Sequence, residues 1–396
     1  MTRVGRLSGA RLLDGRDARI DGRLLDGRDV RLRVEDGRIS SIESLDARRG
    51  RPLLLPGLVD LQVNGYAGHD INAEDVSADM VVELTRALWA HGVTSYCPTV
   101  VTGSRDRILS ALRTVAQARE RAPLVAGTVV GVHVEGPYLA AADGPRGAHD
   151  ARHLRDPDPR ELAQWLAAVP GLVRIVTLAP ERPGSAAYIR AATQAGVVVA
   201  VGHTDASPQQ LRGAARAGAT LSTHLGNGTH AVLPRHPNHV WAQLAEDSLT
   251  ATFIADGHHL PADAFTAMVR AKGPERAVLV SDSVALAGCP PGEYRTPVGG
   301  EVTVEPSGKL RLSGTQLLAG SGRSLLDCVR WAVRETPFTL AEVWAMASAN
   351  PARALGLTGR GVIEVGARAD LCVAQWEGGR EGRLRLLATL VGGAEI

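Results

Sequence analysis

The chain has 396 residues, 44% hydrophobic and 22% charged, with a net charge of +2, a length that suits two ordinary domains or one barrel of roughly 250 residues with appendages. So small a charge advertises no nucleic-acid or membrane-binding surface, and the longest apolar runs, such as Leu53–Leu55 and Val197–Val201, fall far short of a membrane span. Only two of the 44 basic residues are lysine, Lys272 and Lys309, each beside glycine in a turn-like context, which all but excludes Schiff-base, Walker-type or carbamylated-lysine chemistry.

Residues 1–30 alternate Arg, Asp and Gly with apolar residues, so no secretory signal is expected. Cys97, Cys289, Cys328 and Cys372 form no CxxC pair, which points to a reducing cytoplasm rather than a disulfide framework. The hexapeptide Leu-Leu-Asp-Gly-Arg-Asp occurs at 12–17 and again at 24–29, read here as a local duplication in a surface hairpin. Val30–Glu35 and Arg38–Glu43 alternate around Asp36-Gly37, a second hairpin signal.

From Pro56 onward, apolar β-branched runs alternate with stretches of helical period. The runs are Leu58–Gln62, Val93–Val100, Val129–Glu135, Val173–Leu178, Val197–Gly202, Thr220–His224, Thr250–Asp256 and Ala277–Asp282. Between them lie helical patterns at Ala78–His91, Arg105–Arg121 (capped by Ser104), Arg160–Ala168, Ser185–Ala195, Pro208–Ala217, Val240–Asp247 and Pro261–Ala271. Eight buried parallel strands argue for a closed (β/α)8 TIM-type barrel. An insertion at 283–320 carries a hairpin, Glu301–Leu312, turning at Ser307-Gly308. Helical patterns at Ser324–Glu335 and Leu340–Ala349 follow, and then strands at Ala369–Gln375 and Leu384–Val391. The expected division is a barrel domain over 56–355 and a small β-sandwich-like domain formed by 1–55 with 356–396.

All 12 histidines lie between His69 and His259. Glu135, His203, His224, Asp256 and Asp282 each end or directly follow an apolar run. In such a barrel the C-terminal ends of the strands converge on one face, so these residues are expected to share one mouth. One carboxylate and two neutral imidazoles suit a borderline divalent ion such as Zn²⁺ with a position left for water. A nearby carboxylate outside the ligand set, Asp282, can move a proton between water and a leaving amine. His133 shares the strand face of Glu135 and is read as packed.

These segments resemble the N-acetylglucosamine-6-phosphate deacetylase family of the amidohydrolase superfamily. The likeness runs through Pro56-Gly-Leu-Val-Asp-Leu-Gln-Val-Asn-Gly65, His133-Val-Glu-Gly-Pro137, Thr177-Leu-Ala-Pro180, Val201-Gly-His-Thr-Asp-Ala206, Thr223-His-Leu225, Ile254-Ala-Asp-Gly-His-His259, Ser281-Asp282 and Asn350-Pro-Ala-Arg353. It implies metal ligation by Glu135, His203 and His224, acid/base work by Asp282, and polarisation of an acetyl carbonyl by His149. Gln62 and Asn64 stand where most of the superfamily has a His-x-His pair, which implies one metal ion, Zn²⁺ first and Fe²⁺, Co²⁺ or Mn²⁺ as alternatives. Implied substrate contacts are Ala148, His149, Asn227, Gly228, Asp256, His259 and a closing loop, Leu318, Ala319, Gly320 and Ser321. Arg235 is expected to reach a phosphate in the neighbouring subunit of a homodimer.

The chain departs from the family over Gly226-Asn-Gly-Thr-His230 and Leu233-Pro-Arg-His-Pro-Asn238, where histidines replace apolar bulk. That leaves open which acylated amino sugar fits and whether a 6-phosphate is needed. An amidohydrolase acting on another acylated sugar or a cyclic amide, and a metal-free sugar-binding barrel, stand as the alternatives.

Overall fold

A computed structural model describes residues 11–13, 17–296, 300–315, 318–379 and 382–396. Eight parallel strands follow one another around a single sheet: β1 (Leu58–Val63), β2 (Val93–Val101), β3 (Val132–Glu135), β4 (Val173–Leu178), β5 (Val198–Val201), β6 (Leu221–Ser222), β7 (Thr250–Ile254) and β8 (Ala277–Val280). The ring closes at its C-terminal edge. There Val63 bridges Ser283, Asp282 N–H donates to Gln62 O at 3.0 Å, and Asn64 N–H donates to Ser283 O at 2.8 Å. Val59, Leu61, Cys97, Ile175, Ala200, Leu221, Ile254, Val278 and Val280 fill the interior, so the barrel is a packed core and not a pore.

The helical periods come out where the spacing places them. Arg105–Arg121 begins after Ser104, whose hydroxyl accepts from Arg107 N–H, and Pro208–Ala217 carries a full capping box between Ser207 and Gln210. Two departures from expectation involve an added or divided helix. A short helix, Pro123–Thr128, precedes β3, so that strand begins at Val132 rather than Val129. The helical stretch expected over Leu340–Ala349 is two helices, Leu340–Met346 and Ala349–Ala354, parted at Ser348 in a non-helical conformation. Asn350 then donates to Pro274 O and Ala277 O, tying the second helix to the base of β8.

Both chain ends build one further sheet. Its order is Ala394–Glu395, Leu384–Val391, Leu371–Trp376, Leu53–Pro56, Asp17–Arg23, Asp29–Glu35 and Arg38–Ser44, with Arg11–Leu13 paired to Asp17–Arg23. Ile20, Leu32, Val34, Ile39, Leu54, Leu371, Val373 and Leu390 form its core. Of the two copies of the duplicated hexapeptide, the second spans the hairpin connection between Asp17–Arg23 and Asp29–Glu35. The second turns at Gly27 (φ +89°) and ends on Asp29, which pairs with Arg23 at 2.7 Å. Residues 14–16 of the first copy lie outside the described residues.

The insertion after β8 is a three-stranded antiparallel sheet, Gly292–Thr296, Gly300–Val304 and Leu310–Leu312. The hairpin turns at Ser307-Gly308 as expected; the strand Gly292–Thr296 was missed because its exposed Gly-Glu-Tyr-Arg-Thr carries little apolar alternation. Lys272 ends a helix, fully buried, and its ammonium donates to Gln243 O and Glu246 O. It caps carbonyls on the flank of the barrel. Among the described residues, no helix is long and apolar enough to cross a membrane.

One buried charge lies in the seam between β1 and β8. Asp60 is fully buried, and its Oδ1 accepts from Gln62 N–H at 3.3 Å and Ser281 N–H at 3.2 Å, while Oδ2 has no hydrogen-bond partner among the described residues. Burial pushes this carboxyl up to about 7. The folded protein therefore holds the proton longer than the unfolded chain, so stability falls as pH rises from the ordinary carboxylate range through 7. Asp60→Asn copies the protonated form. Thermal unfolding at pH 5 and pH 8 is expected to show the variant gaining on the native protein at the higher pH, and an equal difference at both would mean Asp60 does not titrate in this window.

Candidate metal and acid/base centre

Strand ends place the site, and left-handed backbone turns aim it. Glu135 is the last residue of β3, and Gly136 follows at φ +81°. His203 (φ +49°), His224 (φ +27°) and Asp282 (φ +46°) each lie two residues beyond their strands and themselves take the left-handed conformation. L-residues with side chains rarely sit there, and each costs about 1–3 kcal/mol. The turn breaks the strand ladder before these residues, which is why β5, β6 and β8 stop short of the apolar runs read from sequence.

Glu135 is the meeting point. Its Oε1 lies 3.2 Å from His224 Nε2 and 3.4 Å from His203 Nε2, and those two nitrogens are 3.1 Å apart. His149 Nε2 stands 3.8 Å from Glu135 Oε2. Ligand-capable atoms of Glu135, His149 and His203 all lie within 4.8 Å of one another. Burial alone would push the Glu135 carboxyl up, but the bonds and charges of His203 and His224 outweigh it and hold it well below the usual carboxylate range. Burial likewise opposes charge on His224, and the Glu135 carboxylate overcomes it, leaving that imidazole raised.

The donor set fits a divalent cation. His203 Nδ1 lies 2.8 Å from Pro145 O, and a carbonyl can only accept, so Nδ1 carries a proton and Nε2 is the nitrogen left to offer a lone pair to a metal beside Glu135. A lone pair, a second imidazole nitrogen and a carboxylate oxygen facing one another favour a shared positive charge. Two nitrogens and one oxygen are borderline donors of the kind that hold Zn²⁺ and its neighbours.

Gln62 and Asn64, read from sequence as vacant second-metal positions, are occupied with hydrogen bonding. Gln62 donates to Glu135 Oε1 at 2.9 Å, and Asn64 donates to Asp282 Oδ1 at 2.7 Å. Each first-strand amide thus orients one carboxylate. Asp282 is half-buried, and burial with the nearby Glu135 charge pushes it up to about 6. Beneath the site, His133 bonds Leu61 O and Thr177 Oγ1, and Thr177 bonds Thr223 Oγ1. Burial lowers His133 to about 4, so it is a neutral, packed residue, as read.

The other expected site residues fall at differing distances from this centre. Asp256 is engaged locally: its carboxylate accepts from the N–H groups of His258 and His259 and bonds His259 Nδ1 at 2.7 Å, so it fixes the His259 ring. Asn227 and Gly228 lie three and four residues beyond His224, and the Asn227 Nδ2 group is buried without a partner among the described residues. Ser321 N–H donates to Asp282 O and Ser321 O accepts from Val284 N–H, so the segment Leu318–Ser321 is pinned beside Asp282. Ala148 is exposed next to His149. Arg235 stands exposed in the loop that also carries the exposed Val232. Sequence reading passed over Thr102, whose hydroxyl lies 2.9 Å from His149 Nδ1. It follows the end of β2, so the rule that strand ends face the mouth could have found it.

A family model, the amidohydrolase family, matches residues 53–392. The chain belongs to that family. Its relatives include the N-acetylgalactosamine-6-phosphate deacetylase of Escherichia coli O157:H7, 37% identical over 86% of this chain and 89% of the relative. The N-acetylglucosamine-6-phosphate deacetylase of Bos taurus is 36% identical over 86% of each chain. Among solved structures, a mutant N-acetyl-D-glucosamine-6-phosphate deacetylase from Mycobacterium smegmatis, in complex with N-acetyl-D-glucosamine-6-phosphate, superposes with a TM-score of 0.84. It is 32% identical to this chain, with 96% of this chain and 99% of that one covered. Within the amidohydrolases the chain is thus a member of the N-acetylglucosamine-6-phosphate deacetylase group.

Gly228 offers a direct test of the centre. A Cβ there would come within 2.8 Å of His203 Nδ1 at φ +56°. Gly228→Ala is expected to displace the His203 ring and lower bound divalent metal below one equivalent while the protein stays folded, read by elemental analysis beside circular dichroism. A full equivalent in the variant would detach His203 from the metal.

Proposed function

We propose that this protein hydrolyses N-acetylglucosamine 6-phosphate to glucosamine 6-phosphate and acetate, as a cytoplasmic step of amino-sugar catabolism. The observation that carries the proposal is the convergence of Glu135, His203 and His224 beside an Asn64-held Asp282. The deacetylase names of the relatives supply the substrate class. One divalent ion held by Glu135, His203 and His224, Zn²⁺ first and Fe²⁺, Co²⁺ or Mn²⁺ next, supplies Lewis acidity when bound, lowering the pKa of water and polarising the acetyl carbonyl. Asp282 accepts the proton of the attacking water at Oδ2, the oxygen that Asn64 leaves free, and returns it to the departing nitrogen so that a neutral amine leaves. His149 donates from Nε2 to the oxygen that gains negative charge.

Around this chemistry we place the sugar and phosphate on Ala148, His149, Asn227, Gly228, Asp256 and His259, with Leu318, Ala319, Gly320 and Ser321 closing over them. Arg235 serves the site of the other subunit in a homodimer: it is exposed and its guanidinium suits a phosphate. The four free cysteines fit a reducing compartment. The barrel domain is taken as 56–355 and the terminal β domain as 1–55 with 356–396.

A second reading has its own support. The E. coli relative acts, by its name, on the galactosamine epimer, and the loop 226–238 that would meet the sugar differs from the family pattern. A panel of N-acetylglucosamine and N-acetylgalactosamine, each with and without 6-phosphate, separates the readings. Turnover of N-acetylglucosamine 6-phosphate is expected to exceed the rest, preference for the epimer would favour the second reading, and no deacetylation of any member would overturn both. Asp282→Asn is expected to keep its metal and lose about 10²–10⁴ in kcat, and near-normal kcat would contradict the acid/base role.

A further inference from the structure

Three imidazoles face Glu135, and for two of them, His203 and His149, a hydrogen bond on the far side of the ring governs what the near nitrogen can do. His203 has a carbonyl behind it, which holds a proton on Nδ1 and leaves Nε2 as the nitrogen that can offer a lone pair. His149 has a hydroxyl behind it instead, Thr102 Oγ1 at 2.9 Å from Nδ1. A hydroxyl can donate or accept, so burial must decide. Thr102 is 4% exposed, and among the described residues its oxygen has no hydrogen-bond partner other than His149 Nδ1. Were the ring to donate, the hydroxyl proton would be buried without an acceptor. With the hydroxyl donating, both groups are satisfied.

We propose that Thr102 is a positioning residue that donates to His149 Nδ1 and thereby keeps a proton on His149 Nε2. The inference rests on the deacetylase reading for the task that His149 performs. A protonated Nε2 is a hydrogen-bond donor and no metal ligand. It removes His149 from the group of ligand-capable atoms within 4.8 Å and leaves it aimed at a developing oxyanion. The ring is held in place as well as in tautomer: it meets His203 edge-on, with centroids 4.5 Å apart. Gly136 makes room for the arrangement, since a Cβ there would lie 2.3 Å from the Thr102 hydroxyl oxygen. Two strand ends, those of β2 and β3, therefore meet at one hydroxyl.

The test compares Thr102→Val, which removes the hydroxyl, with Thr102→Ser, which keeps it, in the metal-loaded enzyme. With N-acetylglucosamine 6-phosphate, Thr102→Val is expected to lose about 10- to 100-fold in kcat, with KM within about twofold and metal content unchanged. Thr102→Ser is expected to recover most of the loss. Nitrogen NMR of ¹⁵N-histidine-labelled protein supplies a readout independent of turnover. The Nδ1 signal missing from His149→Gln should be of the unprotonated type in the native enzyme and the Ser variant. Native kcat in Thr102→Val, a protonated Nδ1 in the native enzyme, or loss of metal together with activity would each overturn the proposal; the last would make His149 a ligand. If the native enzyme deacetylated none of the sugars, the functional reading would fall, and the nitrogen spectrum would still decide the tautomer.

Discussion

A carboxylate buried among imidazoles governs the architecture of this barrel mouth. Glu135 has lost water and gained nitrogens at 3.2 and 3.4 Å, an arrangement that is favourable only with positive charge shared among them. The surrounding residues meet that demand in turn. Pro145 O fixes the tautomer of His203, Gln62 supplies a neutral donor to Glu135, and Asn64 does the same for Asp282. The left-handed turns at His203, His224 and Asp282 follow from the same requirement, since they bring three side chains to one point. The closing bonds of the barrel run through Gln62, Asn64, Asp282 and Ser283. The residues that close the barrel are therefore also residues of the site.

The two first-strand amides show how the proposed single-metal site would differ from a two-metal site by more than subtraction. A neutral amide can donate to a carboxylate without adding charge, whereas an imidazole pair in those places would offer lone pairs. With Gln62 donating to Glu135 and Asn64 to Asp282, each carboxylate has one oxygen engaged. The scarcity of lysine fits this arrangement. Lys272, one of only two lysines, is consumed in capping Gln243 O and Glu246 O. Neither it nor any other lysine bridges the mouth.

Much of this was legible from sequence, for physical reasons that also mark its limits. The eight strands were visible because parallel strands buried on both faces read as continuous apolar runs, and Arg105–Arg121 was bounded because Ser104 advertises its cap. The rim of Glu135, His203, His224 and Asp282 followed from strand ends alone. The true ends of β5, β6 and β8 were not legible, since a left-handed turn at His or Asp has no signal like that of glycine. Gln62 and Asn64 were read by what they lack, because an amide announces no chemistry until its partner is seen. Thr102 was missed because a threonine after a strand is ordinary until His149 is found behind it. The local role of Asp256 was not legible either, because the bond from its carboxylate to His259 Nδ1 shows only once the turn after β7 is folded.

The central claim is a site for one cation bounded by Glu135, His203 and His224 and closed to a second by donating amides. Anomalous diffraction from crystals of the zinc-loaded protein, with data on both sides of the zinc edge, tests it most directly. The account predicts one peak within bonding distance of those three side chains, with none between Gln62 and Asn64. Two peaks of comparable height, or one peak bound through His149 in place of His224, would contradict it.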